Sequence, residues 1–113
     1  MAKSMNSEQL KNLVKTLPDG PGVYLMKNVK EKIIYIGKAK NLKARVRTYF
    51  NQLQDHSTKT KFLVGHITDI EYILTKTEVE AFLLEASLIK KHRPRYNIRL
   101  KDDKAYPYIR IDV

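Results

Sequence analysis

Tyr24 and Tyr35 sit in two short apolar runs, "GVYLMK" and "KIIYIG", separated by "NVKE". Both runs read as strands and the residues between them as a hairpin loop. With Asn28 to Glu31 as that loop, Lys27 faces Lys32 and Tyr24 faces Tyr35, on one face with Met26 and Ile33. Directly opposed residues on antiparallel strands hold their Cβ atoms about 4.5–5.5 Å apart. Taken alone, such a pair reads as a cross-strand aromatic contact that stabilises the sheet, and a one-residue slip of register would separate it.

The stretch that follows, "GKAKNLKARVRTYF", adds cations in a helical setting. Asn41 is placed to cap a helix running to Phe50. At about 100° per residue, Leu42, Val46 and Tyr49 form its apolar stripe. Lys43 and Arg47 point away from that stripe, and Lys40 stands just before the helix. These are either phosphate contacts or a plain solvated face. Arg45 lies on one flank of the stripe, a turn before Tyr49, so its guanidinium is directed at the rim of the core. It either meets an anion there or covers apolar surface with its stem. The helix N-terminus, directly after Gly37 and Lys38, would offer backbone N–H groups and a positive dipole end to an anion.

Glu85 raises a sharper question. On a helix from Glu78 to His92 its neighbours one turn away are Ala81, Phe82, Leu88 and Ile89, all apolar. That spacing places the carboxylate mid-stripe on the face aimed at the core. An unpaired buried carboxylate is costly or takes up a proton. Glu85 therefore calls for a cation, and the spacing leaves two open: a metal ion, or a buried arginine or lysine. Glu80, Ser87, Lys90 and Lys91 occupy the opposite, solvated face.

The chain as a whole limits the classes of function. Its 113 residues, 42% of them hydrophobic, suit one domain with a modest core. A net charge of +10 draws polyanions, nucleic acid ahead of an anionic membrane surface. The absence of cysteine excludes disulfides and thiolate zinc sites. No run approaches the roughly 18 apolar residues of a membrane span. The start, "MAKSMNSEQL", lacks an apolar signal core, which points to a cytoplasmic protein. His56, His66 and His92 show no metal-ligand spacing and read as surface or capping residues. "GPG" precedes a strand rather than a helix, so a glycine-rich nucleotide loop is absent.

The elements that must position these residues follow from pattern and punctuation. A first helix starts at Asn6 or Ser7 and runs to about Thr16, with Leu10, Leu13, Val14 and Leu17 on its apolar side. "PDGPG" ends it. A further helical stretch covers Thr58 to Gly65, and "IEYILTK" reads as a third strand. Thr77 and Glu80 form a capping box that opens the Glu85 helix, and Pro94 stops it. "YPYIRIDV" reads as a last strand that reaches the final residue, which suits a single domain excerpted from a longer chain.

Taken in order, "GVY", "YIG", "GKAKNLKARVRTYF" and "FLLEASLIKKHRPRYN" resemble the GIY-YIG nuclease family, and within it the UvrC-type N-terminal endonuclease domains of bacterial nucleotide excision repair. The likeness runs from about Pro21 to Ile111, with Val23 where the family name has isoleucine. It implies a small α/β domain, a three-stranded antiparallel sheet flanked by helices, with one divalent ion, Mg²⁺ or Mn²⁺. It implies Glu85 as the metal ligand, and Tyr24, Tyr35, Lys38, Arg45, Tyr49 and Asn97 as catalytic positions. Tyr35 would take a proton from the attacking water, assisted by nearby cations such as Lys38. Lys40, Lys43, Arg47, Arg93 and Arg95 would contact DNA. The resemblance further implies incision on the 3′ side of a lesion in double-stranded DNA. The UvrB–DNA complex would be engaged through other parts of a longer protein. Two alternatives stay open: a stand-alone repair nuclease of related type, and a non-catalytic DNA-binding module with the same fold.

Overall fold

The computed structural model describes residues 7–50 and 58–97. Asn6, His56 and the "YPYIRIDV" segment lie outside the described residues. The elements are α1 (Ser7–Lys15), β1 (Gly22–Lys27), β2 (Ile33–Ala39), α2 (Leu42–Tyr49), α3 (Thr58–His66), β3 (Asp69–Leu74) and α4 (Glu78–His92). They form an antiparallel sheet in the order β2-β1-β3. β1 is the middle strand and is buried almost throughout, because both faces of the sheet are covered.

Each face has its own apolar cluster. Tyr24, Met26 and Ile70 pack towards α1, α2 and α3, against Leu10, Val14, Leu42, Val46 and Leu63. Val23, Leu25 and Ile36 pack towards α4, against Ala81, Leu84 and Leu88. The stripe expected on α2 is buried as the spacing demands, at Leu42, Val46 and Tyr49. α4 opens on Thr77, whose Oγ1 accepts the Glu80 N–H at 3.1 Å, while the Glu80 carboxylate accepts the Lys76 N–H at 2.8 Å. It closes on Arg93 in the left-handed region (φ 45°), followed by the buried Pro94.

The hairpin departs from the expected pairing. Tyr24 lies opposite Gly37, Met26 opposite Tyr35, and Lys27 opposite Ile33. The partner of Tyr24 has moved by two residues, which leaves Tyr35 on the same face because strand side chains alternate with period two. The cause is the loop. Asn28 Oδ1 accepts the N–H groups of Lys30 and Lys32 at 2.9 and 3.0 Å. Glu31 takes a φ of 63°, and the Asn28 N–H donates to the Lys32 carbonyl at 3.0 Å. Lys32 is thereby drawn into the loop, and the register shifts between Met26 and Lys27 so that Ile34 is left as an extra residue. Such a bulge turns two successive side chains to one side. Ile34 therefore takes the place expected of Ile33 on the tyrosine face, while Ile33 packs with the α4 cluster. Lys27, expected to face Lys32, instead binds Glu71 of β3 at 2.7 Å.

Glu31 pays a steric penalty that glycine avoids, since an L side chain in the left-handed region costs about 1–2 kcal/mol. Glycine's greater freedom in the unfolded chain offsets about half of that gain. Glu31→Gly is expected to stabilise the fold by about 0.5–1 kcal/mol, seen as a higher urea midpoint at unchanged m-value.

Candidate active site

Tyr24 projects from β1 across Gly37 of β2. A Cβ at position 37 would collide with the Tyr24 hydroxyl and ring, so close approach is what demands glycine there. The Tyr24 hydroxyl lies 2.8 Å from that of Tyr49 on α2. The rings of Tyr24, Tyr35 and Tyr49 form a triangle with centroid separations of 6.2, 5.9 and 6.4 Å. Tyr24 and Tyr49 are buried and Tyr35 is half-buried. The Arg45 guanidinium stands 5.9 Å from the Tyr49 ring centre.

The charges around this triangle oppose one another. Burial first, then Tyr49 and Tyr35, hold the Tyr24 phenol well above the ordinary tyrosine range, while Arg45 pulls it down. Tyr35 is raised by burial first, then by Tyr49 and by the Glu85 charge, and is again lowered by Arg45. Arg45 in turn is held more firmly protonated, chiefly by Tyr24. The cation acting on the tyrosines is thus Arg45. Lys38, expected in that role, places its ammonium 6.0 Å over the ring of Phe82 on α4.

Beside the triangle opens a cleft of about 680 Å³ between the end of β2 and the first turns of α2 and α4, lined among others by Lys38, Lys40, Arg45 and Phe82. The N-terminus of α2 gives this cleft less than the sequence suggests. Its first N–H groups already have acceptors: Leu42 donates to the Gly20 carbonyl at 2.9 Å, Lys43 to Pro18 at 3.2 Å, and Ala44 to Asn41 Oδ1 at 2.9 Å. The "PDGPG" segment folds back over the helix end and satisfies the donors expected to meet an anion.

Glu85 is half-buried, as are Leu84, Leu88 and Ile89 around it. α4 contacts the sheet through Ala81, Leu84, Leu88 and Ile89, and Phe82 is 53% exposed. The flank carrying Glu85 thus opens at the rim, within electrostatic reach of Tyr35. Among the described residues the ion pairs are Lys27–Glu71 and Lys43–Asp19, so no protein cation neutralises Glu85. Among them, too, no group of three or more His, Asp or Glu could cage a metal. A single half-buried carboxylate such as Glu85 fits Mg²⁺, which keeps most of its waters and takes one or two protein carboxylates; a second α4 carboxylate, Glu78, lines the cleft itself.

Asn97 reaches the site through the backbone. Its Oδ1 accepts the Ile36 N–H and its Nδ2 donates to the Ile36 carbonyl, both at 2.8 Å. It holds the strand between Tyr35 and Gly37 and is a positioning residue. Of the expected DNA contacts, Lys40 lines the cleft, while Lys43 and Arg47 lie on the other side of α2. Arg93 and Arg95 are exposed just beyond α4. His66 ends α3, its Nδ1 2.8 Å from the Phe62 carbonyl, in keeping with a capping role. Gly37 and Phe82 went unassigned in the sequence; only the pairing register and the exposure of α4 reveal them.

A three-stranded sheet with this phenol cluster on its hairpin and a lone carboxylate on the helix behind it defines a GIY-YIG domain. The chain belongs to the UvrC-like GIY-YIG domain family, whose model matches residues 20–98. It is 70% identical over 107 residues to the UvrABC system protein C of Bdellovibrio bacteriovorus, covering 95% of this chain and 17% of that protein. It is 57% identical over 100 residues to the protein of that name from Clostridium tetani, covering 88% of this chain and 16% of the relative. The chain thus spans a small part of the relatives it matches. The crystal structure of the GIY-YIG N-terminal endonuclease domain of UvrC from Thermotoga maritima, bound to its catalytic divalent cation magnesium, superposes with a TM-score of 0.69 at 44% identity. That match covers 79% of this chain and 96% of the Thermotoga domain.

Two measurements check this geometry. Above pH 10 the unfolded phenols ionise while Tyr24 and Tyr35, raised in the fold, keep their protons. The native state then binds more protons, so stability is full below pH 10 and falls as pH climbs towards the folded values. Tyr24→Phe and Tyr35→Phe are each expected to flatten that decline in urea titrations across the alkaline range. Asn97→Ala leaves the Ile36 N–H and carbonyl without their partner, at a cost of about 1–3 kcal/mol. Hydrogen exchange at the Ile36 amide should accelerate accordingly.

Proposed function

We propose that this domain hydrolyses a DNA phosphodiester with the help of one divalent metal ion. Within a UvrC-type protein it would make the incision on the 3′ side of a lesion in double-stranded DNA, with the UvrB–DNA complex engaged by other parts of that protein. One observation carries the reading. Three phenols and a guanidinium converge beside a half-buried carboxylate that no cation among the described residues pairs with.

Glu85 holds the metal in this proposal. Bound there, Mg²⁺ supplies Lewis-acid polarisation of the scissile phosphate and offsets the carboxylate charge that raises Tyr35. Arg45 faces the charge that develops on the phosphate oxygens. Tyr35, the most accessible phenol of the triangle, releases its own proton to solvent and, as the phenolate, takes the proton from the attacking water. Tyr49 and Tyr24 hold Tyr35 in place through their hydroxyls and rings. Lys38 and Lys40 steer the phosphate into the cleft, and Lys43, Arg47, Arg93 and Arg95 meet the flanking backbone.

Single-turnover nicking of duplex DNA in Mg²⁺ tests these roles on variants whose folding is confirmed by circular dichroism. Glu85→Ala should fall to background, and Arg45→Ala should lose about 10²–10³-fold. Because the Tyr35 phenol is raised, the fraction able to accept a proton grows about tenfold per pH unit through neutrality. Wild-type cleavage should climb with pH and Tyr35→Phe should abolish the climb. A folded Glu85→Ala protein that nicks at the wild-type rate would end the metal assignment.

A further inference from the structure

α2 is a ridge with two working sides. Asn41, Ala44 and Arg45 face the cleft. Lys43 and Arg47 face a separate groove of about 440 Å³ shared with α1, which contributes Lys11 and Lys15 over a floor of Val14 and Phe50. Each helix presents its two cations four residues apart, about 6 Å along the axis. Among the described residues no carboxylate lines the groove. Lys43 approaches Asp19 only to 3.9 Å, and Lys11, Lys15 and Arg47 have no ion pair among the described residues. Four like charges around one groove repel unless an anion lies among them. Lys11 and Lys15 also precede the residues matched by the family model.

We infer that this groove seats the sugar–phosphate backbone of the duplex arm flanking the cleaved phosphate. The inference rests on the nuclease reading, since the duplex crosses α2 from cleft to groove. Lysine and arginine stems over an apolar floor make no pattern for reading base edges, so the contact is independent of sequence and sensitive to salt.

The test uses a labelled duplex in EDTA, titrated by fluorescence anisotropy over a salt series. The proteins are wild type, Lys11→Ala/Lys15→Ala, and Lys90→Ala/Lys91→Ala as a control of equal charge. The first double variant should lower the slope of log K against log salt by about 1.8, two contacts at about 0.9 each. The control should leave it unchanged. Shortening one flank of the duplex should weaken wild type more than Lys11→Ala/Lys15→Ala, which keeps only Lys43 and Arg47 in the groove, while shortening the other should weaken both alike. Equal losses in the two double variants would mean a general field and overturn the groove, as would an unchanged slope. A wild-type domain that shows this binding pattern yet never nicks in Mg²⁺ would sink the nuclease reading and leave the groove standing.

Discussion

Tyr24 reaches Tyr49 only because Gly37 has no side chain. The ring lies where a Cβ would project from β2, and its hydroxyl emerges within hydrogen-bond distance of α2. That one allowance couples the hairpin to the helix that carries Arg45. Gly22 meets a similar constraint at the other end of β1, where a Cβ would run into the Ile73 carbonyl and crowd Leu42. The two glycines let strand β1 sit tightly between its neighbours and under α2. A buried hydrogen bond contributes about 1 kcal/mol and an aromatic pair about 0.5–1.5. The phenol triangle is therefore a structural joint as well as a chemical one.

The same compactness sets the electrical state of the site. Burial and the neighbouring phenols suppress the ionisation of Tyr24 and Tyr35, and Glu85 adds to the effect on Tyr35. Arg45 is the counterweight within the chain. At rest Tyr24 and Tyr35 hold their protons, and among the described residues no cation forms an ion pair with Glu85.

Much of the scaffold was readable from the amino acids alone. The α4 boundaries, the Thr77 and Asn41 caps and the Leu42–Val46–Tyr49 stripe follow from local rules that tertiary contacts did not override. The hairpin register did not, because it hinges on Asn28 closing the loop and on Glu31 accepting a backbone angle that glycine would normally announce. Parity saved the essential point, since a two-residue offset keeps both tyrosines on one face. Helical spacing overstated the burial of Glu85, because the stripe that docks on the sheet runs through Leu84 rather than Phe82. The donors at the start of α2 looked free because their acceptors come from a segment some twenty residues earlier in the chain. Asn97 lay wholly beyond local reasoning, its partner being 61 residues away.

Asn97 has one more effect. A sheet of three strands has two open sides, each a template on which a foreign extended chain can grow. By occupying both backbone groups of Ile36 with its amide, Asn97 imitates the next strand and blocks the margin of β2 at that point. The chemistry is kept beside a border that neighbouring molecules cannot readily extend.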